Sequence, residues 1–394
     1  SDLLLFGDTS GIASRDMSAY QQVGVSHLFA VSGFNITYVL GILWFFLMLW
    51  RPSPAVRLAL AVPVLLGYYF LVGWSASIVR ACLMAFMALA ALALGRKNDI
   101  YSALAGAALV ILLINPGELF QAGFQLSFLT TLGMAYLTPW LVKKGLGKTL
   151  APALAAQLTC LPLIAYYFNT VSLLAPFLNI IAALVSSIAT VLGLAAVLLA
   201  WIVPVLAKPV FIVCGFLMYC LRQFIIPWAD LPWSTAVVKT PSLFLILLYY
   251  LILAVLPVYP YYRYRLEFLY QRRKIFFAAV LGIAILIMCW PARPLLEVTF
   301  LDVGHGDSIF IKTPAGCRIL IDGGGTPESD FAVGEKIVLP YLRKQGINRL
   351  DAVIMSHNHA DHSEGLLELL TLVRTAVFYQ PPSEAGNEAE ESIK

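Results

Sequence analysis

Charge is scarce in this chain. Asp, Glu, Lys and Arg make up 12% of its 394 residues, against about 25% in an ordinary soluble domain. Hydrophobic residues make up 60%, and the mean hydropathy is +0.83. A soluble fold this apolar has too few polar groups to cover its surface, so the surplus must face lipid. Cysteine is scarce too. The six are Cys82, Cys160, Cys214, Cys220, Cys289 and Cys317; five lie in apolar stretches, and no C-x-x-C pair occurs. That excludes a disulfide framework and a cysteine metal site. The start lacks the basic, apolar and cleavage regions of a signal peptide. With Ser as the first residue, the expectation is an internal piece of a longer protein. No internal repeat stands out.

Long apolar runs are what the chain has in abundance. A helix needs roughly 20 apolar residues to span a hydrocarbon core of ~30 Å. Ten runs qualify as candidates: 34–50, 58–73, 77–95, 101–115, 122–142, 149–168, 174–203, 208–226, 241–259 and 275–291. The expected fold is mostly α. A polytopic transmembrane helical domain of about ten segments covers 34–291, and an extracellular or interfacial segment covers 1–33. The 174–203 run is long enough to bend, or to include a half-helix at Pro176.

The basic residues alternate from loop to loop. The odd-numbered loops carry Arg51 and Arg57; Arg96 and Lys97; Lys143, Lys144 and Lys148; Lys208; then Arg263, Arg265, Arg272, Arg273 and Lys274. The even-numbered loops carry only Lys239, with Arg222 near one segment end. Cytoplasmic loops are enriched in Lys and Arg, so the odd loops are expected inside the cell and both chain ends outside.

The character changes near residue 292. Pro291 and Pro294 punctuate, and a charged, glycine-rich, alternating sequence begins. Strands are expected at 296–302, 308–312, 317–321, 352–356 and 376–379, with helices at about 334–345 and 364–373. Such alternation is an α/β pattern.

Three of the five histidines fall within six residues, in Ser-His-Asn-His-Ala-Asp-His-Ser-Glu-Gly over 356–365. The run lies between a predicted strand and a predicted helix, where a loop turns several side chains toward one point. Imidazoles and a carboxylate suit Zn²⁺, and also Mn²⁺ or Fe²⁺. His357 and His359 are the candidate ligands of one ion, and Asp361 and His362 of a second. Such a pair polarises a phosphoryl oxygen and brings the pKa of a bound water toward ~7. Asp322 ends an apolar strand before Gly323, Gly324 and Gly325, where it is placed to order a neighbouring site. Asp361 and Asp322 are the candidate catalytic residues.

An Asp-Gly strand end paired with His-x-His-x-Asp-His resembles the metallo-β-lactamase-fold hydrolases. The resemblance implies two divalent ions, Zn or Mn, in a complete domain. It also implies further ligands after His362: a later histidine, a bridging aspartate and a final histidine. None follows here, so 296–394 is expected to be a partial domain, truncated at its C-terminus.

The apolar region has signatures of its own. They are Val-Gly-Val-Ser-His-Leu-Phe-Ala-Val-Ser-Gly-Phe-Asn-Ile at 23–36, Trp-Ser-Ala-Ser-Ile-Val-Arg-Ala at 74–81 and Gly-Phe-Gln-Leu-Ser-Phe-Leu-Thr-Thr-Leu-Gly at 123–133. A stretch from Phe168 through Val171-Ser172-Leu173 to Pro176 and Asn179 follows, and then Asp-Val-Gly-His-Gly-Asp-Ser at 302–308. In this order the chain resembles the ComEC-type competence proteins over nearly its whole length. That resemblance implies an inner-membrane, multi-pass channel for single-stranded DNA in natural transformation. It also implies an extracellular or periplasmic lactamase-like domain acting as a nuclease on the other strand. Partners would be single-stranded DNA, membrane lipid, and competence-machinery proteins that deliver DNA outside and receive it in the cytoplasm. An OB-fold domain that often precedes the membrane region is absent from this sequence. The chain also departs from the family pattern at Asn35, usually His, and at His305, usually Gln; no catalysis is assigned to either.

The candidate DNA path comprises Arg80, Gln125, Ser127, Asn179, His27, Ser32 and Asn35. An Arg at mid-membrane costs roughly 2.5–3.5 kcal/mol on insertion scales. Arg80 therefore either snorkels or faces a wet cavity where it meets a phosphate. For the polar residues in apolar runs, interhelical hydrogen bonding and the lining of a hydrated path both remain open. Two other classes stay in view. A small-solute transporter predicts pseudo-symmetric halves, which are not evident. A membrane-anchored hydrolase unrelated to DNA needs far fewer segments.

Overall fold

Nine of the ten apolar runs lie on helices in the computed structural model. It describes residues 14–28, 33–50, 52–73, 76–97, 99–229, 231, 233–262, 295–325 and 331–381. The tenth run, 275–291, lies outside the described residues. The helices are α1 (Ser14–Gln22), α2 (Gly33–Trp50), α3 (Pro54–Val72), α4 (Ala76–Ala93), α5 (Ile100–Ile114), α6 (Ala122–Lys143), α7 (Leu150–Phe168), α8 (Ala175–Ile202), α9 (Pro204–Ala229) and α10 (Leu243–Tyr262). Two short strands, β1 (Thr170–Ser172) and β2 (Thr235–Val237), pair with each other. The chain divides into two compact units, Ser1–Ile164 with Val171–Ala236, and Ala165–Thr170 with Val237–Lys394.

The expectation of about ten spans is corrected to three. Among the described residues, Leu150–Phe168, Ala175–Ile202 and Pro204–Ala229 are long and apolar enough to cross a membrane, by length and composition. Among the described residues, the other apolar stretches, Ile36–Phe45, Pro54–Phe70, Ser77–Ala93, Ile100–Ile114 and Leu243–Val255, have 10–17 residues each, below the roughly 20 that a full crossing takes. Helix α6 has 22 residues, but Gln125, Ser127, Thr130 and Thr131 dilute it.

Local chemistry sets the helix ends. Ser53 caps α3, accepting from the Val56 amide, and Pro54 takes the first turn where no N–H is required. Asp99 caps α5 through the amide and hydroxyl of Ser102. Pro176 likewise sits in the first turn of α8, so it starts one 28-residue helix rather than breaking one. The helices expose large apolar side chains, among them Trp50, Phe70, Leu113, Trp201 and Ile202. Exposed apolar patches of that kind fit a surface that meets lipid.

The N-terminal helix belongs to the same unit. Tyr20, Val23 and Val25 are buried with Leu178 and Ala182 of α8 and Leu221 and Ile225 of α9. Full burial of Val23 and Val25 stabilises the seat by about 1.5–3 kcal/mol each. Asp16 accepts two bonds from the Arg222 guanidinium, at 2.6 and 2.9 Å, and Ser172 Oγ donates to the Val23 carbonyl at 2.9 Å.

The second unit contains a five-stranded sheet in the order β3-β4-β5-β7-β9, from β3 (Glu297–Phe300), β4 (Ile309–Lys312), β5 (Arg318–Ile321), β7 (Ala352–Ile354) and β9 (Phe378–Tyr379). The first three strands pair antiparallel, and β5, β7 and β9 pair parallel. A second parallel pair joins β6 (Arg349–Leu350) to β8 (Arg374–Thr375). Both strands are too short to leave an alternating pattern, and neither was expected. A π turn, Gly334–Val338, runs into α11 (Leu339–Lys344), and α12 spans Ala360–Leu372. The core packs Phe310, Leu320 and Val353 of the sheet against Leu339, Leu342, Leu366 and Leu369 of the helices. Because Ile321 and Ile354 are partners in register, β5 and β7 deliver their following residues to one edge, where open α/β sheets hold ligands.

Candidate metal centre

Asp322 follows β5 and Ser356 follows β7, so parallel pairing brings them together across 34 residues of sequence. Asp322 adopts φ 56° and is 4% exposed. An Asp tolerates the left-handed region better than most residues, and here that turn aims the carboxylate at the histidine loop. Its Oδ1 accepts from the Ser356 amide at 2.7 Å; its Oδ2 accepts from the Ser356 hydroxyl at 2.6 Å and from His362 Nδ1 at 3.0 Å.

Proton accounting assigns the ring tautomers. An ionised carboxylate only accepts, so His362 carries its proton on Nδ1. Ser356 has one hydroxyl proton and gives it to Asp322, so the 2.8 Å contact between Ser356 Oγ and His357 Nδ1 has the imidazole as donor. In the neutral rings, both histidines then keep a lone pair on Nε2. One carboxylate thereby sets two candidate ligands in their metal-binding form, the arrangement that orients ligating histidines in general. Both oxygens of Asp322 are thus engaged with Ser356 and His362.

The ligand atoms of His357, Asp361 and His362 lie within 4.8 Å of one another, and all three residues are half-buried. The His357 and His362 rings are 4.0 Å apart. His362 Nε2 stands 3.6 Å from Asp361 Oδ2, too far for a hydrogen bond and close enough to share a cation. Two imidazoles and a carboxylate suit Zn²⁺ or Mn²⁺, so the donor set fits a divalent ion. Such an ion supplies Lewis acidity toward a phosphoryl oxygen. His359 falls outside this group. It stands at the N-cap of α12, where its carbonyl accepts from the amides of His362 and Ser363, and its ring meets that of His357 edge-on at 4.7 Å.

Glycines make the convergence possible. A Cβ on Gly325 would lie 2.1 Å from the Ala360 carbonyl oxygen, and one on Gly306 1.7 Å from that of Asp361. The first clearance lets α12 start against the end of β5. The second brings the β3–β4 loop onto the metal group.

The candidate path residues are dispersed by comparison. Arg80 Nη1 donates to the Ser127 carbonyl at 2.7 Å, and Ser127 Oγ accepts from Ser77 at 2.9 Å. Arg80 Nε is buried without a hydrogen-bond partner, and among the described residues no carboxylate pairs with this guanidinium. Gln125 turns back to the Leu119 carbonyl at 2.8 Å. Asn179, on α8, has a buried Oδ1 without a partner. His27 is exposed on the turn Ser26–Leu28, Asn35 lies in the first turn of α2, and Ser32 lies outside the described residues. So Arg80 and Ser127 meet, joined by Ser77, which sequence reasoning passed over. It also gave no role to Ser356, although its place directly before His357 was the available signal.

Residues 4–263 match the family model for Competence protein, and residues 301–387 match that of the Metallo-beta-lactamase superfamily. The second match implies a divalent metal in that region. ComE operon protein 3 of Bacillus subtilis is 28% identical over 382 residues, covering 91% of this chain and 48% of that protein. Competence protein ComA of Neisseria gonorrhoeae is 27% identical over 383 residues, covering 92% of this chain and 51% of that protein. The chain thus spans about half the length of these curated relatives. No solved structure matches. Kinship and the three apolar helices together make this a membrane protein. The competence match takes in well over half of the chain, which therefore belongs to the competence protein family.

Proposed function

We propose that the protein containing this chain is the multi-pass inner-membrane channel through which single-stranded DNA enters the cell in natural transformation. Its metallo-β-lactamase-like region lies outside the membrane and, with divalent Zn or Mn, hydrolyses the strand that is not transported. The domain boundaries of this reading are 34–291 for the channel and 296–394 for the hydrolase-like region. Partners are single-stranded DNA, the surrounding lipid, and competence proteins that hand DNA over outside and collect it in the cytoplasm.

One observation carries the reading. A competence region and a metal-hydrolase region follow each other on one chain, and in the second His357, Asp361 and His362 converge as a ligand group. Arg80, an uncompensated guanidinium among apolar helices, supports an anionic cargo. Charged groups at such depth are expensive and mark ion or substrate routes.

The test separates the two activities. In the full-length protein, Asp361→Asn with His362→Ala removes two of the three grouped ligands. Degradation of the non-transported strand should stop, read by release of acid-soluble label from duplex DNA. Degradation at the normal rate would show that the metal group is not the nuclease.

A further inference from the structure

The loop between β3 and β4 carries His305, to which the sequence assigned no catalysis, and the structure places this loop on the metal group. It is fixed at three points. The Asp307 carbonyl accepts from the Gly324 amide at 3.0 Å, Ser308 Oγ donates to the Asp322 carbonyl at 3.1 Å, and Gly306 lies against the Asp361 backbone. Gly304 and Gly306 take φ of 81° and 75°, which turns the chain sharply on either side of His305. The result is an apex one trans peptide, ~3.8 Å between Cα atoms, from the glycine that touches a metal-group residue. His305 is exposed there, and no hydrogen bond or ion pair holds its ring among the described residues.

We propose that His305 is a substrate-contacting residue. Its imidazole N–H donates a hydrogen bond to a non-bridging oxygen of the phosphodiester that is presented to His357, Asp361 and His362. The inference rests on the phosphodiesterase reading above. The chemistry is that of an anionic ligand at an acidic lip. Asp302 and Asp307 are exposed on the same loop, so an approaching phosphate meets two carboxylates. A neutral imidazole carries a ring N–H in either tautomer, which gives the apex a donor without needing a charge. The three anchors hold the backbone of the apex in place, so only the torsions of the His305 side chain are left to order on binding.

The test uses the full-length protein in detergent with Mn²⁺. KM and kcat are measured on single-stranded oligonucleotide and on bis(p-nitrophenyl) phosphate for wild type, His305→Ala and His305→Gln, with Mn²⁺ affinity by calorimetry. A lost hydrogen bond to a charged acceptor predicts a KM raised about tenfold in His305→Ala, with Mn²⁺ affinity unchanged. The Gln variant, which keeps a nitrogen donor, should recover most of the loss. Wild-type KM in His305→Ala would overturn the proposal, and so would a fall in Mn²⁺ affinity that accounts for the whole effect. If wild type cleaves neither substrate, the phosphodiesterase reading fails on its own. Binding of a phosphorothioate oligonucleotide, followed by anisotropy, then still decides on His305: weaker binding by the Ala variant supports the contact, and equal binding removes it.

Discussion

Polar side chains are handled in opposite ways in the two halves of this molecule. In the apolar helices they are satisfied one at a time and mostly by their own helix. Thr130 donates to the Leu126 carbonyl at 2.5 Å, Thr131 to Ser127 at 3.0 Å, Thr159 to Ala155 at 2.7 Å and Thr190 to Ser186 at 2.8 Å. Each is a bond to the carbonyl four residues back, the usual recourse of a hydroxyl inside a helix. In the metal region, by contrast, Asp322, Ser356, His357, Asp361 and His362 converge from two strand ends and a helix start. A polar residue in an apolar run therefore says little about function until its partner is known. The same residue types brought together from separate elements say a great deal. Arg80 stands apart in the first half because it carries a charge: its Nε has no partner, and no carboxylate pairs with it among the described residues.

The sharpest way to break this contrast is Asp322→Ala. It removes the acceptor shared by Ser356 and His362 and frees both ligand rings to turn. Loss of such outer partners costs roughly 10–100-fold in metal affinity, read by Mn²⁺ or Zn²⁺ calorimetry on the full-length protein. Unchanged affinity would mean that Asp322 orders nothing. Next in size is Arg80→Ala, expected to reduce DNA uptake severalfold while nuclease activity stays at the wild-type level. Unchanged uptake would assign the guanidinium to anchoring α4 on the Ser127 carbonyl. Thr131→Val should do little, within about 0.6 kcal/mol of stability and with normal uptake, because its hydroxyl serves only its own helix. A large loss of uptake with folding intact would instead place Thr131 on the route.

The smallest effect concerns the cap of α5. The hydroxyl and amide of Ser102 hold the Asp99 carboxyl below its ordinary range. A depressed folded-state pKa means that the unfolded chain binds the proton more readily, so stability rises with pH through that window. The contribution is present above the unfolded carboxylate range, near ~3.9, and is lost as pH falls through the folded value. Asp99→Asn should flatten the acid limb of the melting temperature against pH. An identical acid limb would show that the cap contributes nothing to stability.

Much of the fold was legible because long apolar runs and helices coincide. The 122–142 run and α6 at Ala122–Lys143 nearly share their ends. The number of spans was not legible in the same way, because a run of acceptable length need not be apolar enough, and Gln125 with Ser127, Thr130 and Thr131 weakens α6. Helix α1 escaped notice for the converse reason: nine residues with Asp16 and two Gln carry no membrane signal, and their fit appears only once Tyr20 meets α8 and α9. The metal group was readable since His357, Asp361 and His362 lie within six residues of each other. What escaped was its support. Gly306 is more than fifty positions from Asp361, and only a missing Cβ lets them touch. His359, equal to its neighbours in the motif, takes the N-cap because α12 begins at Ala360, four residues earlier than expected.

The most direct measurement follows labelled duplex DNA in cells lacking the full-length protein, before and after complementation, scoring surface-bound and nuclease-protected label separately. The account predicts that binding persists without the protein and that protection appears only on complementation, in one strand. Equal protection in the deleted cells would contradict a channel role for this chain.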